Sequence, residues 1–266
     1  MLNRQVFFSV ICTTYNSASF VERTLVSIID QTYKDYEIII SDDGSSDNTW
    51  EVCGKFLQNY TENPYRIIRN VHRGPGAARN AGLRVAQGQW IALLDSDDCW
   101  EKYKLERVIE VIQLNREINF ICHNEQFNLI NGGEKILDYA AMYNVEKPLV
   151  PQLFRQNLFS TSAVVFAKKL LNYSGYFNER LMSAQDYEMW LKMSPKIKVY
   201  FMQDCLGYYF ERADNISSTN WFKRWFNVLK IYFMHHNKVK FSVFIGVLIY
   251  HFCYLGKPII RRILHD

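Results

Sequence analysis

The sequence predicts an α/β fold in which helices flank a mostly parallel central sheet. Short apolar runs rich in β-branched residues alternate with amphipathic stretches in the N-terminal half, which is the pattern of β-α-β units. Each apolar run also ends in polar residues. Because ligands of open α/β sheets bind outside the carboxyl ends of the strands, we expect the functional site at that edge. With 266 residues, 48% of them hydrophobic, the chain can bury one substantial core.

The individual elements follow from local spacing. Phe20, Leu25 and Ile28 lie at helical spacing and predict a helix, whereas the β-branched run EIIIS predicts a strand. The stretch 132–156 has no clear periodicity and predicts no regular element. The predicted strands are 6–13, 37–41, 66–69, 90–94, 118–124 and 158–166, and the predicted helices are 18–31, 49–60, 74–86, 102–113 and 186–193.

The cysteines and the N-terminus indicate a cytoplasmic protein. The six cysteines form no Cys-x-x-Cys pair and have no short spacing to histidine, so neither a zinc site nor a disulfide framework is predicted. The apolar run 6–12 is short and has no cleavage pattern. It therefore predicts a buried strand and not a signal peptide. The cysteines are Cys12, Cys53, Cys99, Cys122, Cys205 and Cys253.

Residues 221–266 form a tail rich in aromatic and basic residues. From Lys223 onward there are eight Lys or Arg and one acid, whereas the preceding part has 23 basic and 26 acidic residues. The apolar run 241–255 spans 15 residues, fewer than the roughly 20 that cross a bilayer. Aromatic and lysine residues together favour helices on an anionic lipid surface over nucleic-acid binding. The alternative is a helical pair packed on the preceding domain or on a partner subunit.

The clearest chemical motif is Asp95-Ser96-Asp97-Asp98 at the end of a predicted strand. Three carboxylates in four positions repel one another, and a divalent cation relieves that repulsion. Oxygen-only ligands favour Mg²⁺ or Mn²⁺, which commonly bridge a protein carboxylate to substrate phosphates. The alternative is an acidic turn that caps the next helix.

Two further motifs lie at the same predicted edge. The acidic cluster 42–47 follows the second strand, and a carboxylate there can accept hydrogen bonds from a nucleobase or a ribose, although a turn with a helix cap has the same composition. The segment 74–82 is a Gly-rich turn into a helix of small residues, but it is neither a Walker loop nor a dinucleotide fingerprint. Its Arg79 is either structural or a forked donor to phosphate or carboxylate. Two acidic clusters on successive strand ends suggest a bound nucleotide.

Five motifs, taken in their order and spacing, resemble family 2 glycosyltransferases with the GT-A fold. The resemblance implies a GT-A catalytic domain over 1–220, with the nucleotide-sugar part at about 1–100 and the acceptor part at about 101–220, followed by the tail. The motifs are SVICTTYN at 9–16, DDGSSDNT at 42–49, GPGAARNAGL at 74–83, DSDD at 95–98 and QDYEMWLKM at 185–193.

The resemblance also implies roles for the donor-side residues. It assigns Thr13, Tyr15 and Asp43 to the nucleobase and ribose of a nucleotide sugar. It makes Asp97 the direct ligand of Mn²⁺ or Mg²⁺ and places Asp95 in the metal site, nearer the ribose. Such a cation offsets the charge of the diphosphate and so helps the nucleoside diphosphate to leave.

For the transfer step the resemblance assigns Asp186 as the general base. This carboxylate would take the proton of the acceptor hydroxyl while the oxygen attacks the anomeric carbon opposite the leaving phosphate, which inverts the configuration. The alternative is that Asp186 caps a helix beginning at Tyr187, with Trp190 in the core. Glu188 is a competing carboxylate, but two positions along a helix it should point away from Asp186.

One motif departs from the family pattern. Many members have an aromatic-Arg-x-His sequence before a serine-rich turn, and its His can complete the metal site. Here Phe210 replaces the Arg and Arg212 replaces the His. Because a guanidinium cannot ligate a cation but binds diphosphate well, Arg212 is expected to contact phosphate.

These features predict an inverting hexosyl- or N-acetylhexosaminyl-transferase. The expected donor is a nucleotide-diphosphate sugar, commonly UDP-linked, and the expected acceptor is a lipid-linked glycan of bacterial surface-polysaccharide assembly. The enzyme is expected to be cytoplasmic and peripheral on the inner face of the cell membrane, to bind no nucleic acid, and to form its acceptor pocket from 132–156. An inactive nucleotide-sugar-binding scaffold and a sugar-phosphate nucleotidylyltransferase are the alternatives. The latter class would open with a basic Gly-rich loop, where this chain has TTYNSASF.

Overall fold

The computed structural model describes residues 6–212 and 221–255, in which strands and helices alternate. The strands are β1 (Phe8–Thr14), β2 (Tyr36–Asp42), β3 (Tyr65–Arg69), β4 (Trp90–Asp95), β5 (Cys99–Trp100), β6 (Phe120–Asn128), β7 (Glu134–Leu137), β8 (Val164–Ala167) and β9 (Val199–Phe210). The helices are α1 (Val21–Ile29), α2 (Thr49–Tyr60), α3 (Pro75–Val85), α4 (Lys104–Leu114), α5 (Tyr139–Met142), α6 (Leu149–Arg155), α7 (Leu171–Ser174), α8 (Gln185–Met193), α9 (Trp221–His235) and α10 (Phe241–Tyr250).

The strands described form one sheet in the order β3-β2-β1-β4-β8-β6-β9-β5, with β7 paired to β6. The first four strands in chain order, β1 to β4, are all parallel, as is the pair β6 and β9. Strands β8, β7 and β5 join by antiparallel pairing. The predicted α/β fold with a mostly parallel central sheet is therefore confirmed.

Hydrophobic side chains cover both faces of this sheet. Every residue of β1 and β2 is buried, and alternate residues of β1 enter different cores because side chains alternate along a strand. Val10 and Cys12 belong to the core that includes residues of α1, α2 and α4, whereas Ile11 belongs to the core that includes residues of α3 and α8. Trp190 lies fully buried in this second core, with its ring edge-on to Phe120 at a centroid distance of 5.4 Å.

Helix α3 lies directly against the sheet because its residues are small. A Cβ atom on Gly82 would lie 2.6 Å from Cγ2 of Ile11, closer than the contacts that Cβ atoms make in proteins. The small residues of this helix therefore allow close packing on the sheet. The same helix carries Arg79 to the carboxyl edge of β4, where that side chain pairs with Asp95.

Helices α9 and α10 pack against the rest of the protein through a shared core. Tyr232 of α9 and Phe244 of α10 are buried and both contact Phe154 of α6, at ring-centroid distances of 5.3 and 6.4 Å. Nε2 of His235 also lies 3.2 Å from the buried carboxylate of Glu188 on α8. Within 6–212 and 221–255, no helix is both long enough and apolar enough to cross a membrane.

Two stretches differ from the structure predicted for them, and β9 lies in a part of the chain for which the sequence predicts no element. The predicted strand 158–166 is regular only as β8, because the Ser162 carbonyl accepts hydrogen bonds from Trp100 Nε1 and Lys104 Nζ instead of from a neighbouring strand. The stretch 132–156, which predicts no regular element, contains β7, α5 and α6. These elements span four to seven residues, and such short segments show no measurable periodicity.

Candidate active site

The parallel register brings the predicted motifs to one edge of the sheet. Thr14 pairs with Asp42 across β1 and β2, and Thr13 pairs with Asp95 across β1 and β4. The side chains repeat this pairing: Thr14 Oγ1 donates to Asp42 at 2.9 Å, and Thr13 Oγ1 donates to Asp95 at 3.2 Å. The carboxyl end of β1 is therefore hydrogen-bonded to both acidic clusters.

A cleft of about 2120 Å³ opens at this edge. Pockets for small ligands usually enclose about 300–1,000 Å³, so the cleft has room for more than one substrate. All the site residues predicted from the sequence line it: Thr13, Tyr15, Asp43, Arg79, Asp95, Asp97, Asp186 and Arg212.

Asp43 organises the loop that joins β3 to α3. One carboxylate oxygen accepts from the backbone amide of Arg73 at 3.0 Å, and the other accepts from that of Gly74 at 2.9 Å. The second oxygen also lies 2.9 Å from Nδ1 of His72. The turn after β2, which carries Asp43, requires a glycine at Gly44. Its φ is +74°, and an added Cβ would lie 2.8 Å from the His72 backbone nitrogen.

Tyr15 stacks on His72 at the mouth of the cleft. The ring centroids are 4.3 Å apart and the planes are inclined by 20°. The Tyr15 side chain is half exposed, as is that of His72. The pair therefore presents a flat aromatic surface beside the Asp43 carboxylate.

Arg79 joins α3 to the Asp95 carboxylate from a buried position. Its Nη2 donates to Asp95 Oδ1 at 2.5 Å, and its side chain is 5% exposed. Its Nε and Nη1 have no hydrogen-bond partner among the described residues. Unsatisfied buried guanidinium donors are costly, so these two N–H groups are suited to a ligand in the cleft.

Asp97 and Arg212 lie beside each other in the same cleft. Their side chains are 27% and 25% exposed, with Arg212 Nη1 4.0 Å from Asp97 Oδ2. Arg212 also lies over the ring of Phe20, 3.6 Å from its centroid. Arg212, which replaces the histidine of the family pattern, therefore lies beside Asp97 of the DSDD motif.

The donor set near Asp97 fits a hard divalent cation shared with a ligand. Asp97 and Asp95 offer oxygen atoms, and the hydrogen bonds to Asp95 from Arg79 and Thr13 both use Oδ1. In the part of the chain that the structure describes, no three His, Cys, Asp or Glu side chains form a complete metal cage. Mg²⁺ is typically held by one or two carboxylates together with substrate phosphates, which matches this sparse set.

Asp98 does not join the other two carboxylates of the motif. It is buried and accepts from Ser162 Oγ at 2.5 Å. Burial raises the pKa of Asp98 well above its usual range, and the nearby Asp97 carboxylate adds to this effect. The three carboxylates therefore do not share one site, because that of Asp98 points into the protein interior.

A buried polar layer supports the DSDD turn. Lys104 and Glu125 are fully buried, and burial lowers the pKa of Lys104 and raises that of Glu125. Ser162 connects this layer to the turn: its Oγ accepts from the Asp95 amide at 3.1 Å, and its carbonyl accepts from Lys104 Nζ at 2.9 Å. Since burial favours the neutral forms, the layer is a hydrogen-bonded support for the turn.

We expect Ser162→Ala to destabilise the fold and to displace the DSDD turn. The change leaves the Asp95 amide and the Asp98 carboxyl without their hydrogen-bond partner, and each unsatisfied buried group costs about 1–3 kcal/mol. Urea unfolding should show a loss of at least about 2 kcal/mol. Ser27→Ala is the matched control, because this buried hydroxyl donates to Thr24 O within its own helix. Equal losses in the two variants would contradict the supporting role of Ser162.

Asp186 lies in the first turn of α8 and lines the same cleft. It accepts a hydrogen bond from Asn157 Nδ2 at 3.3 Å. The helix begins at Gln185, and its N-cap residue, Ala184, makes no side-chain capping bond. The alternative that Asp186 caps a helix beginning at Tyr187 is therefore wrong. Glu188, two positions further along α8, is buried and pairs with His235 of α9.

Backbone strain coincides with the cleft. Asn16 and Ala184 are the non-glycine residues of the described chain with positive φ, at 48° and 56°. Both line the cleft, one after β1 and one immediately before α8. Left-handed non-glycine residues are uncommon and concentrate at functional sites, so their location independently marks this cleft.

Sequence reasoning missed several residues that build the site. His72 and Asn157 lie in loops without a helical or strand pattern, and Ser162 lies inside the stretch predicted as a strand. Their partners, Asp43, Asp186 and Asp98, are 29, 29 and 64 residues away in the chain. The only local signal was the proximity of His72 to the Gly-rich turn.

Solved structures share this architecture. S. aureus TarS 1–349 in complex with UDP-GlcNAc superposes with a TM-score of 0.70 at 20% identity, covering 93% of this chain and 73% of that one. The mannosyltransferase PcManGT from Pyrobaculum calidifontis, in complex with GDP-Man and Mn²⁺, gives a TM-score of 0.70 at 18% identity, covering 95% and 71%. The fold with its acidic strand-end cleft is therefore GT-A.

Sequence comparison then identifies the family. The profile of Glycosyl transferase family 2 matches residues 9–166, more than half of the chain, and the protein belongs to this family. The Escherichia coli UDP-Glc:alpha-D-GlcNAc-diphosphoundecaprenol beta-1,3-glucosyltransferase WfaP is 30% identical over 239 residues, covering 84% of this chain and 85% of WfaP. An uncharacterized glycosyltransferase of Nostoc, alr2836, is 38% identical over 133 residues, and the match covers 50% of this chain and 40% of that protein.

Proposed function

We propose that the protein is an inverting glycosyltransferase that moves a hexose or N-acetylhexosamine from a UDP-sugar to a hydroxyl group of a lipid-diphosphate-linked glycan. The observation that carries this proposal is one cleft lined by Asp95 and Asp97 as well as by Asp186. This cleft can hold a donor and an acceptor together. The donor and acceptor classes are those named for WfaP, which this chain matches over most of its length.

The nucleoside part of the donor is assigned to the β1 and β2 edge. Tyr15, backed by His72, stacks with the base, and such stacking is a common source of affinity for planar ligands. Thr13 and Asp43 hold the base and ribose through hydrogen bonds. A carboxylate has about four acceptor sites, so Asp43 retains one after binding the loop through two backbone amides and His72.

The diphosphate is assigned to the basic and acidic groups of the β4 edge. The unpartnered N–H groups of Arg79 and the guanidinium of Arg212 donate to phosphate oxygens. Asp97, with Asp95, holds Mn²⁺ or Mg²⁺ when the cation is bound, and the cation supplies positive charge to the leaving diphosphate. Arg212 adds positive charge to the same place because it lies beside Asp97.

Asp186 is assigned as the general base. It takes the proton from the acceptor hydroxyl while the hydroxyl oxygen forms a bond to the anomeric carbon and the bond from that carbon to the diphosphate oxygen breaks. The electron pair of the broken bond leaves with the nucleoside diphosphate. Attack from the face opposite the leaving group inverts the configuration. Asn157 orients the base through its hydrogen bond to Oδ2.

The organisation of the chain follows this assignment. Residues 1–220 form the catalytic domain and 221–266 an appended tail that brings the enzyme to the inner face of the cell membrane. Exposed aromatic residues on the tail, such as Phe233 and Phe241, suit a lipid interface. The acceptor lies between the β4 edge and the tail, and 132–156 contributes Arg155 to that part of the cleft.

The proposal is tested by the product released from each donor. The full chain is incubated with UDP-, GDP- and dTDP-sugars, Mn²⁺ and a panel of lipid-diphosphate sugars, and we expect free UDP to accumulate with the matching pair. Release of pyrophosphate from a sugar phosphate and nucleoside triphosphate would identify a nucleotidylyltransferase instead. Binding of a nucleotide sugar without release of either product, across the panel, would support the scaffold.

A further inference from the structure

The cleft continues beyond Asp186 to the two helices of the tail. On α10 one face lines it, since the contributing residues recur three or four positions apart, whereas on α9 most residues from Lys223 to Tyr232 line it. The contributors on α9 include Lys223, Asn227 and Lys230, and those on α10 include Val243, Gly246 and Val247.

This tail end of the cleft is strongly basic. Lys223 and Lys230 of α9 line it, Arg155 and Arg180 line the same cleft, and from residue 127 onward Asp186 is the only carboxylate among the described lining residues. None of these four cations forms an ion pair within 6–212 and 221–255. Cations collected in a concave surface without acidic partners attract an anionic ligand.

The basic part borders an apolar face. Helix α10 presents Val243, Gly246 and Val247 to the cleft, and the neighbouring Tyr232 of α9 lines it as well. Gly246 has no atom within 4 Å of the position of an added Cβ, so the face is open at this point. A charged group followed by a hydrocarbon chain is the ligand that matches both halves.

We propose that the tail helices form the subsite for the lipid diphosphate of the acceptor. The four cations bind the two phosphates, and the α10 face holds the first isoprenoid units. This inference rests on the proposed function: with the acceptor hydroxyl at Asp186, its diphosphate lies one sugar away on the side opposite the donor. Arg155 is two residues before Asn157, the residue that donates to Asp186, so positive charge lies close to the base.

The arrangement favours one lipid diphosphate over a general phospholipid surface. The four exposed cations line the same cleft as the carboxylates, so a phosphate bound there shares one cavity with the acceptor sugar, whereas cations that bind a bilayer surface need no such cavity. The tail also carries exposed hydrophobic residues that do not line the cleft, including Phe233, Met234 and Phe241. Lipid binding by that outer surface is a separate function of the same helices.

Binding of farnesyl diphosphate to the full chain in the presence of UDP tests the subsite without turnover. We expect the wild type to bind farnesyl diphosphate and not farnesol, and Lys223→Glu/Lys230→Glu to weaken the binding by at least about tenfold, because two charge-assisted contacts are lost. Lys240→Glu is the matched control: it is an exposed lysine of the tail outside the cleft and should change the affinity less than about twofold. Equal affinities in all three proteins would overturn the proposal.

A kinetic comparison separates this inference from the proposed function. With farnesyl-diphospho-N-acetylglucosamine the double variant should show a raised KM for the acceptor, whereas with the neutral octyl glycoside of the same sugar its rate should equal that of the wild type. The KM for the donor should not change. Equal losses with both acceptors would overturn the diphosphate subsite. Farnesyl diphosphate binding without sugar transfer would support the subsite and contradict the proposed function.

Binding to vesicles that contain phosphatidylglycerol tests whether the cations bind a membrane surface instead. If the double variant lost vesicle binding but kept its affinity for farnesyl diphosphate, the cations would serve the bilayer and the subsite would be rejected. The inference is supported if the double variant loses farnesyl diphosphate while vesicle binding persists through the outer aromatic surface.

Discussion

Asp186→Asn is expected to lower sugar transfer by about 10²–10⁴-fold while leaving donor affinity within about twofold of the wild type. The amide keeps the size of the side chain and can still accept from Asn157, which lies 3.3 Å from Oδ2. It cannot accept the proton of an attacking hydroxyl. Calorimetric titration of the donor and a coupled assay for UDP release measure the two quantities separately.

Glu188→Gln is the matched control for this experiment. It makes the same change from carboxylate to amide two positions further along α8, but Glu188 is buried and lies 3.2 Å from His235 and 3.4 Å from Lys192. We expect it to lower the free energy of unfolding and to weaken the docking of α9, with kcat retained in the folded fraction. Normal turnover in Asp186→Asn together with its loss in a folded Glu188→Gln would transfer the role of base to Glu188.

The sheet and its functional edge could be predicted because they depend on local patterns. β1 and β2 are continuous apolar runs, and every residue in them is buried, as expected for parallel strands covered on both faces. Polar residues at the strand ends then meet because parallel register aligns the ends. Thr13 opposite Asp95 is the direct result.

What could not be predicted depends on contacts between distant segments. The stretch 158–166 predicts a strand that includes Ser162, yet the Ser162 hydroxyl donates to Asp98 and its carbonyl accepts from Trp100 and Lys104. Nothing local to Asp98 indicates that it turns away from Asp97. Such choices are made by the burial of each group and by the partner that burial requires.

The tail illustrates how composition alone leaves two outcomes open. Aromatic and basic residues predict a helix on a lipid surface or a helix packed on its own domain, and α9 provides the second through Ile231 and Tyr232, which are buried. Phe233 and Met234, the next two residues, are exposed. A membrane contact is therefore proposed only for the exposed surface of the tail that includes Phe233 and Met234. The buried face of α9 packs on the core, and other residues of α9 line the cleft.

Asp97→Ala is expected to abolish the gain in nucleotide affinity that Mn²⁺ provides. In the wild type, Mn²⁺ should strengthen UDP-sugar binding by at least about tenfold, because the cation joins the carboxylate to the diphosphate. In the variant, affinities with Mn²⁺ and with EDTA should be equal and close to the metal-free value of the wild type. Transfer should fall below detection, since the leaving diphosphate loses the charge that the cation supplies.

Asp98→Asn is the control that makes this result specific to Asp97. The two residues are adjacent in the DSDD motif, but Asp98 is buried and bonded to Ser162, whereas Asp97 lies in the cleft beside Arg212. Because burial already favours the protonated form of Asp98, an amide there should preserve the Mn²⁺-dependent gain in affinity. If Asp97→Ala kept that gain and Asp98→Asn lost it, the cation would be held by the buried carboxyl after a rearrangement of the turn, and the assignment of Asp97 would be wrong.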